Sequence, residues 1–244
     1  GDLPMSPTVE ILADKPALVE RAHVLAIETI KSAIAANGKA TLALSGGSTP
    51  KPLYASLIRA ELSWDKIFIF WGDERYVPHD HEKSNVRMTH EARLNHVPIP
   101  AENVFPMPTS ASNPQADAQK YEKSLQTFFQ LSSGEFPAID FVLQGMGDDG
   151  HTASLFPQTQ ALDVTDQLIT VGNHNGEPRI TFTAPLINHG RKVVFLVAGE
   201  NKQSALSQVF SADADPKAYP SKLIQPENGP HWLLAAAAGA GVPD

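Results

Sequence analysis

The chain has 244 residues and a net charge of −8 at neutral pH, too acidic for a protein that grips nucleic acid through a basic face. With 42% hydrophobic and 19% charged residues it has the make-up of an ordinary soluble globule, and no apolar run reaches the roughly 18 residues of a membrane span. Cysteine is absent, which excludes disulfides, thiolate metal sites and a cysteine nucleophile, and fits a reducing, cytoplasmic setting. The start, Gly1 to Met5, has neither the basic region nor the hydrophobic core of a signal peptide. The length suits one domain over residues 1–244.

In chain order, Asp14-Lys15-Pro16 opens an amphipathic helix with Leu18, Ala22, Leu25, Ala26, Ile30 and Ile34 at helical spacing, stopped by Asn37-Gly38. Thr41 to Leu44 is a strand that runs into Ser45-Gly46-Gly47-Ser48-Thr49-Pro50 and a helix from Lys51 to about Glu61. Gly46 and Gly47 allow close backbone approach to a ligand. Ser45, Ser48 and Thr49 supply hydroxyls, and Pro50 suits the first helical position. A helix N-terminus reached in this way is a ready phosphate site, although the pattern is neither a Walker loop nor a dinucleotide fingerprint.

Trp64 to Trp71 reads as a very apolar and therefore central strand, ending in Gly72-Asp73-Glu74-Arg75. Arg75 can pair with Asp73 or present its fork to a phosphate or an oxyanion. His79 and His81 lack a third metal ligand and read as solvated loop residues. A helix follows from Ser84 to Leu94, with Val86, His90 and Leu94 on one stripe. The proline-rich segment from Val97 to Pro114 is an irregular connection that begins a small lobe or wraps the sheet edge. Ala116 to Gln130 is the next helix.

Ile139 to Leu143 is a buried strand leading into Gly145-Met146-Gly147-Asp148-Asp149-Gly150-His151. The glycines permit a sharp turn, and His151 is expected where the chain turns helical, at the carboxyl edge of a parallel sheet where open α/β folds bind ligands. An imidazole titrating near neutrality suits a general base, and Asp149 can orient it. Leu168 to Val171 is a short strand, Gly172 to Gly176 a turn, and Pro178 to Thr183 a strand with Arg179 at its entry. Arg191 to Val197 is a further buried strand. It leads to Lys202 in the first turn of a helix that runs to about Phe210, where a cation opposes the helix dipole and so points to an anion. Ser221 to Ile224 reads as a last strand and Trp232 to Ala238 as a closing helix.

Strands alternating with helices make this an α/β chain with a mostly parallel central sheet flanked by helices. One sheet edge then collects residues 45–49, Asp73, Arg75, His151 and Lys202, with Arg179 in reach: a phosphate clamp beside acid–base groups. No nucleotide pattern or metal spacing accompanies it, and the residues point to proton transfer or hydrolysis on a small phosphorylated molecule.

Ser-Gly-Gly-Ser-Thr-Pro (45–50), Trp-Gly-Asp-Glu-Arg (71–75), Gly-Met-Gly-Asp-Asp-Gly-His-Thr-Ala-Ser-Leu-Phe-Pro (145–157) and Arg-Ile-Thr-Phe-Thr (179–183) occur in this order, followed by Gly-Glu-Asn-Lys (199–202) and Tyr-Pro-Ser (219–221). In this the chain resembles the 6-phosphogluconolactonase family, within the superfamily of the glucosamine-6-phosphate isomerase/deaminases. The resemblance implies a Rossmann-like three-layer sandwich with a small accessory region. It implies hydrolysis of 6-phospho-D-glucono-1,5-lactone in the oxidative pentose phosphate pathway, with His151 as general base on water and Asp73, Arg75 and Asp149 as its catalytic company. The phosphate would lie on Ser45, Gly46, Gly47, Ser48 and Thr49, closed in by Arg179 and Lys202. A sugar-phosphate lactone is the expected partner, with no cofactor, metal, nucleic acid or membrane, in a monomer or small homo-oligomer. The isomerases resemble this chain less. They carry a glutamate five residues after the histidine, here Phe156, and read Met-Asp-Glu-Tyr where this chain has Gly-Asp-Glu-Arg at 72–75. A non-catalytic sensor would carry a helix-turn-helix segment, for which the start before Asp14 offers no room. Ala235 stands in the final helix where relatives often have an aspartate.

Overall fold

The computed structural model describes residues 4–92 and 94–243. Gly1–Leu3, in the stretch where no leader was expected, Arg93 in the expected third helix, and Asp244 lie outside the described residues. The elements are β1 (Thr8–Leu12), α1 (Lys15–Asn37), β2 (Ala40–Leu44), α2 (Lys51–Ile58), β3 (Ile67–Trp71), β4 (Asp73–Arg75), α3 (Asn85–Glu91), β5 (Val104–Phe105), α4 (Pro114–Phe128), β6 (Phe141–Gln144), β7 (Ile169–His174), β8 (Glu177–Phe182), α5 (Ala184–Asn188), β9 (Lys192–Val197), α6 (Gln203–Val209), β10 (His231–Ala235) and α7 (Ala236–Gly239).

Seven strands pair in parallel in the order β1-β10-β9-β6-β2-β3-β5. Alternate residues of each strand feed opposite layers. Leu42, Ile69, Leu143, Leu196 and Leu233 pack with Leu18, Leu25 and Leu53 of α1 and α2. Ala43, Phe70, Val142, Phe195 and Leu234 pack with Tyr121, Leu125, Leu186 and Leu206 of α4, α5 and α6. The result is a three-layer α/β sandwich with a mostly parallel sheet. A small antiparallel sheet, β4-β8-β7, sits beside it. β2 and β6 are neighbours from which the chain winds in opposite directions, which makes the gap past their carboxyl ends the topological switch point of the sheet. At their amino ends the two are locked together: the Asp140 carboxylate accepts from the Thr41 amide at 2.9 Å and hydroxyl at 3.0 Å, and the Asp140 amide donates to the same hydroxyl.

Several expected elements come out differently. Trp232–Ala235 is strand β10, not helix. Its side chains alternate between the two core layers, and a run with no polar face has no periodicity to distinguish the two forms. Ala235 is thus a buried strand residue, and helix begins only at Ala236. Thr8–Leu12, for which no element was expected, pairs with β10 as the edge strand. β3 lies near one border of the sheet, followed only by the two residues of β5, which the 97–114 segment contributes as it wraps the edge. Ser221–Leu223 belongs to a 3-10 turn opened by Pro220. The 172–176 turn shrinks to Asn175-Gly176, both at positive φ (52° and 84°), the two-residue hairpin that such a pair favours. On α3, Thr89 is buried where His90 was expected, and His90 is exposed.

At the amino edge of the sheet, His231 is 7% exposed within a chain of charges. The Lys192 ammonium donates to Nδ1 at 2.8 Å, so Nε2 carries the ring proton and donates to Glu10, which Arg21 also bonds at 2.9 Å. Burial lowers the His231 pKa below 6.5, with Lys192 and Arg21 adding to the shift and Glu10 opposing it. The unfolded chain therefore binds this proton more readily. The stability linked to His231 is full above pH 6.5 and is lost as pH falls below it. Thermal unfolding followed from about pH 7.5 to about pH 5.5 should show a falling Tm. The slope should be shallower in His231→Gln, and equal slopes in the two proteins would contradict this account.

Candidate active site

The loop after β2 is pinned at its start by Tyr54, whose hydroxyl donates to the Ser45 carbonyl at 2.5 Å and accepts from the Ser45 amide at 2.8 Å. Burial drives that phenol's pKa upward, so it stays a neutral donor. Gly46 has no room for a side chain: a Cβ there would lie 2.0 Å from Asn85 Oδ1. Gly47 turns the loop at φ +94°, and the chain then enters α2 with Pro50 just ahead of it in helical backbone. The hydroxyls of Ser48 and Thr49 have no hydrogen-bond partner among the described residues, and Ser48 is exposed.

Past β6, the loop that carries His151 is not a helix start. Gly150 and Ala153 have positive φ, and the Gly147 amide donates to the His151 carbonyl at 2.9 Å, closing the loop on itself. Thr152 Oγ1 donates to the Gly145 carbonyl at 2.7 Å and accepts from Gln144 Nε2 at 2.8 Å. From behind, Ser221 donates its amide and hydroxyl to the Gly150 carbonyl at 2.9 and 2.8 Å. Within this frame Asp149 Oδ1 accepts from His151 Nδ1 at 2.6 Å and from the His151 amide at 3.0 Å. A Cβ on Gly147 would stand 2.2 Å from the imidazole and 2.8 Å from Asp149 Oδ1, so this glycine is what lets the pair form. Burial pushes the Asp149 carboxyl up, but the two hydrogen bonds and the charge of His151 prevail and bring its pKa down to about 2. Asp149 is therefore an anion that accepts the Nδ1–H hydrogen bond, which leaves Nε2 as the ring nitrogen outside the pair.

The third contribution comes from β4. Arg75 does not pair with Asp73: its Nη1 donates to the Lys83 carbonyl at 3.0 Å. Asp73 is buried and accepts from Ser154 Oγ at 2.8 Å and Asn85 Nδ2 at 3.3 Å. Glu74, fully buried, accepts from the amides of Arg75, Asn85 and Val86 and from Ser84 Oγ, and so ties the start of α3 to β4. Burial raises its pKa against those donors. Across the small sheet Arg179 stands in register with Arg75. Burial, and next the charge of Arg75, lower the Arg179 pKa. Two cations side by side in this way favour an anion between them.

These elements enclose a cleft of about 280 Å³ at the switch point. Ser45 to Thr49, Asp73, Arg75, His151, Arg179 and Lys202 all line it; Asp149 does not, being behind His151. Lys202, half-buried at the start of α6, is in no ion pair among the described residues. Asn85 also lines the cleft and was missed in the sequence, where it reads as the first residue of a scaffold helix. His79 and His81 are half-buried loop clips, bonded to the Met107 carbonyl and the Lys83 amide. No group of three metal-binding side chains occurs among the described residues, and no described helix is long and apolar enough to cross a membrane. A larger groove of about 760 Å³ lies between α1 and α2, where His23 is bonded to Ser56 Oγ, which in turn donates to the Leu53 carbonyl.

Residues 13–233 match the family described as glucosamine-6-phosphate isomerases/6-phosphogluconolactonase. A 6-phosphogluconolactonase of Synechocystis is 57% identical over 235 residues, which span 96% of this chain and 98% of that one. The solved 6-phosphogluconolactonase of Leishmania guyanensis superposes with a TM-score of 0.87 at 29% identity, over 98% of this chain and 100% of that one. That of Trypanosoma brucei does so with a TM-score of 0.84 at 31% identity, over 98% and 99%.

The tautomer that Asp149 imposes is open to measurement. Long-range proton–nitrogen correlation spectra above neutral pH should show His151 protonated at Nδ1, and Asp149→Asn should shift the population toward the Nε2-protonated form. An Nε2-protonated ring in the unsubstituted protein would contradict the pairing.

Proposed function

The chain belongs to the glucosamine-6-phosphate isomerase/6-phosphogluconolactonase family, and on that premise we propose that it hydrolyses 6-phospho-D-glucono-1,5-lactone to 6-phospho-D-gluconate, as a cytoplasmic enzyme of the oxidative pentose phosphate pathway. The observation that carries the reading is the Asp149–His151 pair, bonded at 2.6 Å and presented to a cleft that also holds the glycine-rich loop after β2 and three basic side chains.

The substrate brings one permanent anion, the phosphate, and one reactive carbon, C1 of the lactone. The phosphate lies on Ser45, Gly46, Gly47, Ser48 and Thr49, where the loop's hydroxyls and the start of α2 line the cleft, and Lys202 and Arg179 complete its charge balance. His151 Nε2 takes a proton from water as the oxygen attacks C1. Asp149 holds the imidazole in the required tautomer and stabilises the imidazolium that forms. Negative charge then develops on the former carbonyl oxygen. Arg75, which lines the cleft without a carboxylate partner among the described residues, supplies the positive potential it meets. Collapse of the intermediate breaks the bond from C1 to the ring oxygen, and that oxygen takes the proton that His151 received. The Asp73 carboxylate, held by Ser154 and Asn85, keeps a positioning role beside Arg75.

His151→Ala removes the base without touching the phosphate loop. The variant should fold, bind 6-phosphogluconate about as well as the parent, and lose roughly 10²- to 10⁴-fold in turnover. The lactone is generated in situ from glucose 6-phosphate and its loss followed against the spontaneous background. Equal rates for parent and variant would sink the role of His151, and a parent no faster than buffer would sink the reaction.

A further inference from the structure

Phe156 is 4% exposed and touches three side chains of the site and its surroundings. Its ring centre is 4.4 Å from that of His151 at an interplanar angle of 33°, and 4.5 Å from that of His174 at 31°. The Arg179 guanidinium carbon lies 5.2 Å from the same centre. His174 and Arg179 belong to the β7–β8 hairpin, whereas His151 belongs to the loop after β6. Phe156 is therefore the joint between the two bodies that make the cleft. Its own backbone is held on both sides: the Leu155 amide donates to the Thr152 carbonyl at 2.9 Å, and the Phe156 carbonyl accepts from Thr159 Oγ1 at 2.7 Å. The hairpin closes on this segment because Gly172 has no side chain; a Cβ there would meet the Ser154 carbonyl at 2.2 Å.

Asp149 fixes one point of the imidazole, and a ring held at one nitrogen still rocks about that bond. A packed wall removes this freedom. An apolar ring does so without competing for Nε2, as an amide or carboxylate would. The same ring offers its π-system to Arg179, which is in no ion pair among the described residues and keeps its charge for the cleft. Resting on the lactonase reading above, we propose that Phe156 is a positioning residue for the hydrolysis: one ring sets both the plane of the His151 imidazole and the place of the Arg179 guanidinium, and so fixes the distance from base to cation.

The test is steady-state hydrolysis of the lactone by wild type, Phe156→Leu, Phe156→Tyr and His174→Ala, with folded fraction measured by circular dichroism. Phe156→Leu keeps an apolar side chain but no ring. Its kcat should fall about 10- to 100-fold, the scale set by a displacement of about 1 Å in a reacting group. Its KM should rise about 2- to 5-fold through the lost cation–ring contact. Phe156→Tyr, which keeps the ring, should recover most of both. His174→Ala sits at a half-buried position and removes a support of the ring; it should lower kcat by a smaller factor, and it carries the test if Phe156→Leu does not fold. An unchanged kcat in folded Phe156→Leu, an unchanged kcat in His174→Ala, or a loss of rate that tracks loss of folded protein with KM constant would overturn the proposal while leaving the reaction intact. A wild type without activity on the lactone would overturn both.

Discussion

Everything functional in this protein hangs on the adjacency of β2 and β6. The reciprocal bonds between Asp140 and Thr41 fix the two strands side by side at their amino ends, deep in the sheet. From that pair the chain winds outward in opposite directions, so no crossover helix covers the gap past their carboxyl ends. Two glycine-rich loops therefore face each other across open space, one shaped for an anion and one carrying a base. Neither loop is a site alone. The sheet order makes them one.

The electrostatics follow a consistent division of labour. The chain is acidic overall, yet its cleft must take a phosphate. The acids at and around it are occupied: Asp73 by Ser154 and Asn85, Glu74 by three donors at the start of α3 and the Arg75 amide, and Asp149 by His151. Its cations, Arg75, Arg179 and Lys202, line the cleft without a carboxylate partner among the described residues. A buried acid that meets only dipolar donors leaves the neighbouring arginine free to act on a ligand, which explains why the Asp-Glu-Arg run of β4 does not collapse into an internal ion pair.

Close approach supplies the precision. Gly46 lies against Asn85, Gly147 against His151, and Gly172 against Ser154, each at a distance that a methyl group would not survive. In each case the missing side chain lets a functional group or a backbone segment sit where the chemistry needs it. The aromatic joint at Phe156 completes the set by filling a place where the base loop and the arginine hairpin meet.

The glycine-rich loops, the His151–Asp149 spacing and the alternation of strand and helix were legible in the sequence, because each depends on local chemistry: φ freedom, a two-residue reach, a buried apolar run. The strands from 40 to 44 and 192 to 197 and the caps Asp14, Ser84 and Gly38 follow from the same local rules. What lay beyond the sequence was anything decided by a distant neighbour. Trp232–Ala235 became strand because β1 and β9 flank it, and an all-apolar run reads alike as helix or strand until its neighbours are known. Asn85 entered the cleft because Gly46, 39 positions earlier, left it room, a contact with no trace in local pattern. Arg75 turned from Asp73 to the Lys83 carbonyl because the Asp73 carboxylate was already held by Ser154, 81 positions away. Local residue chemistry determined which groups this protein has for its reaction; long-range packing alone decided which of them face one another.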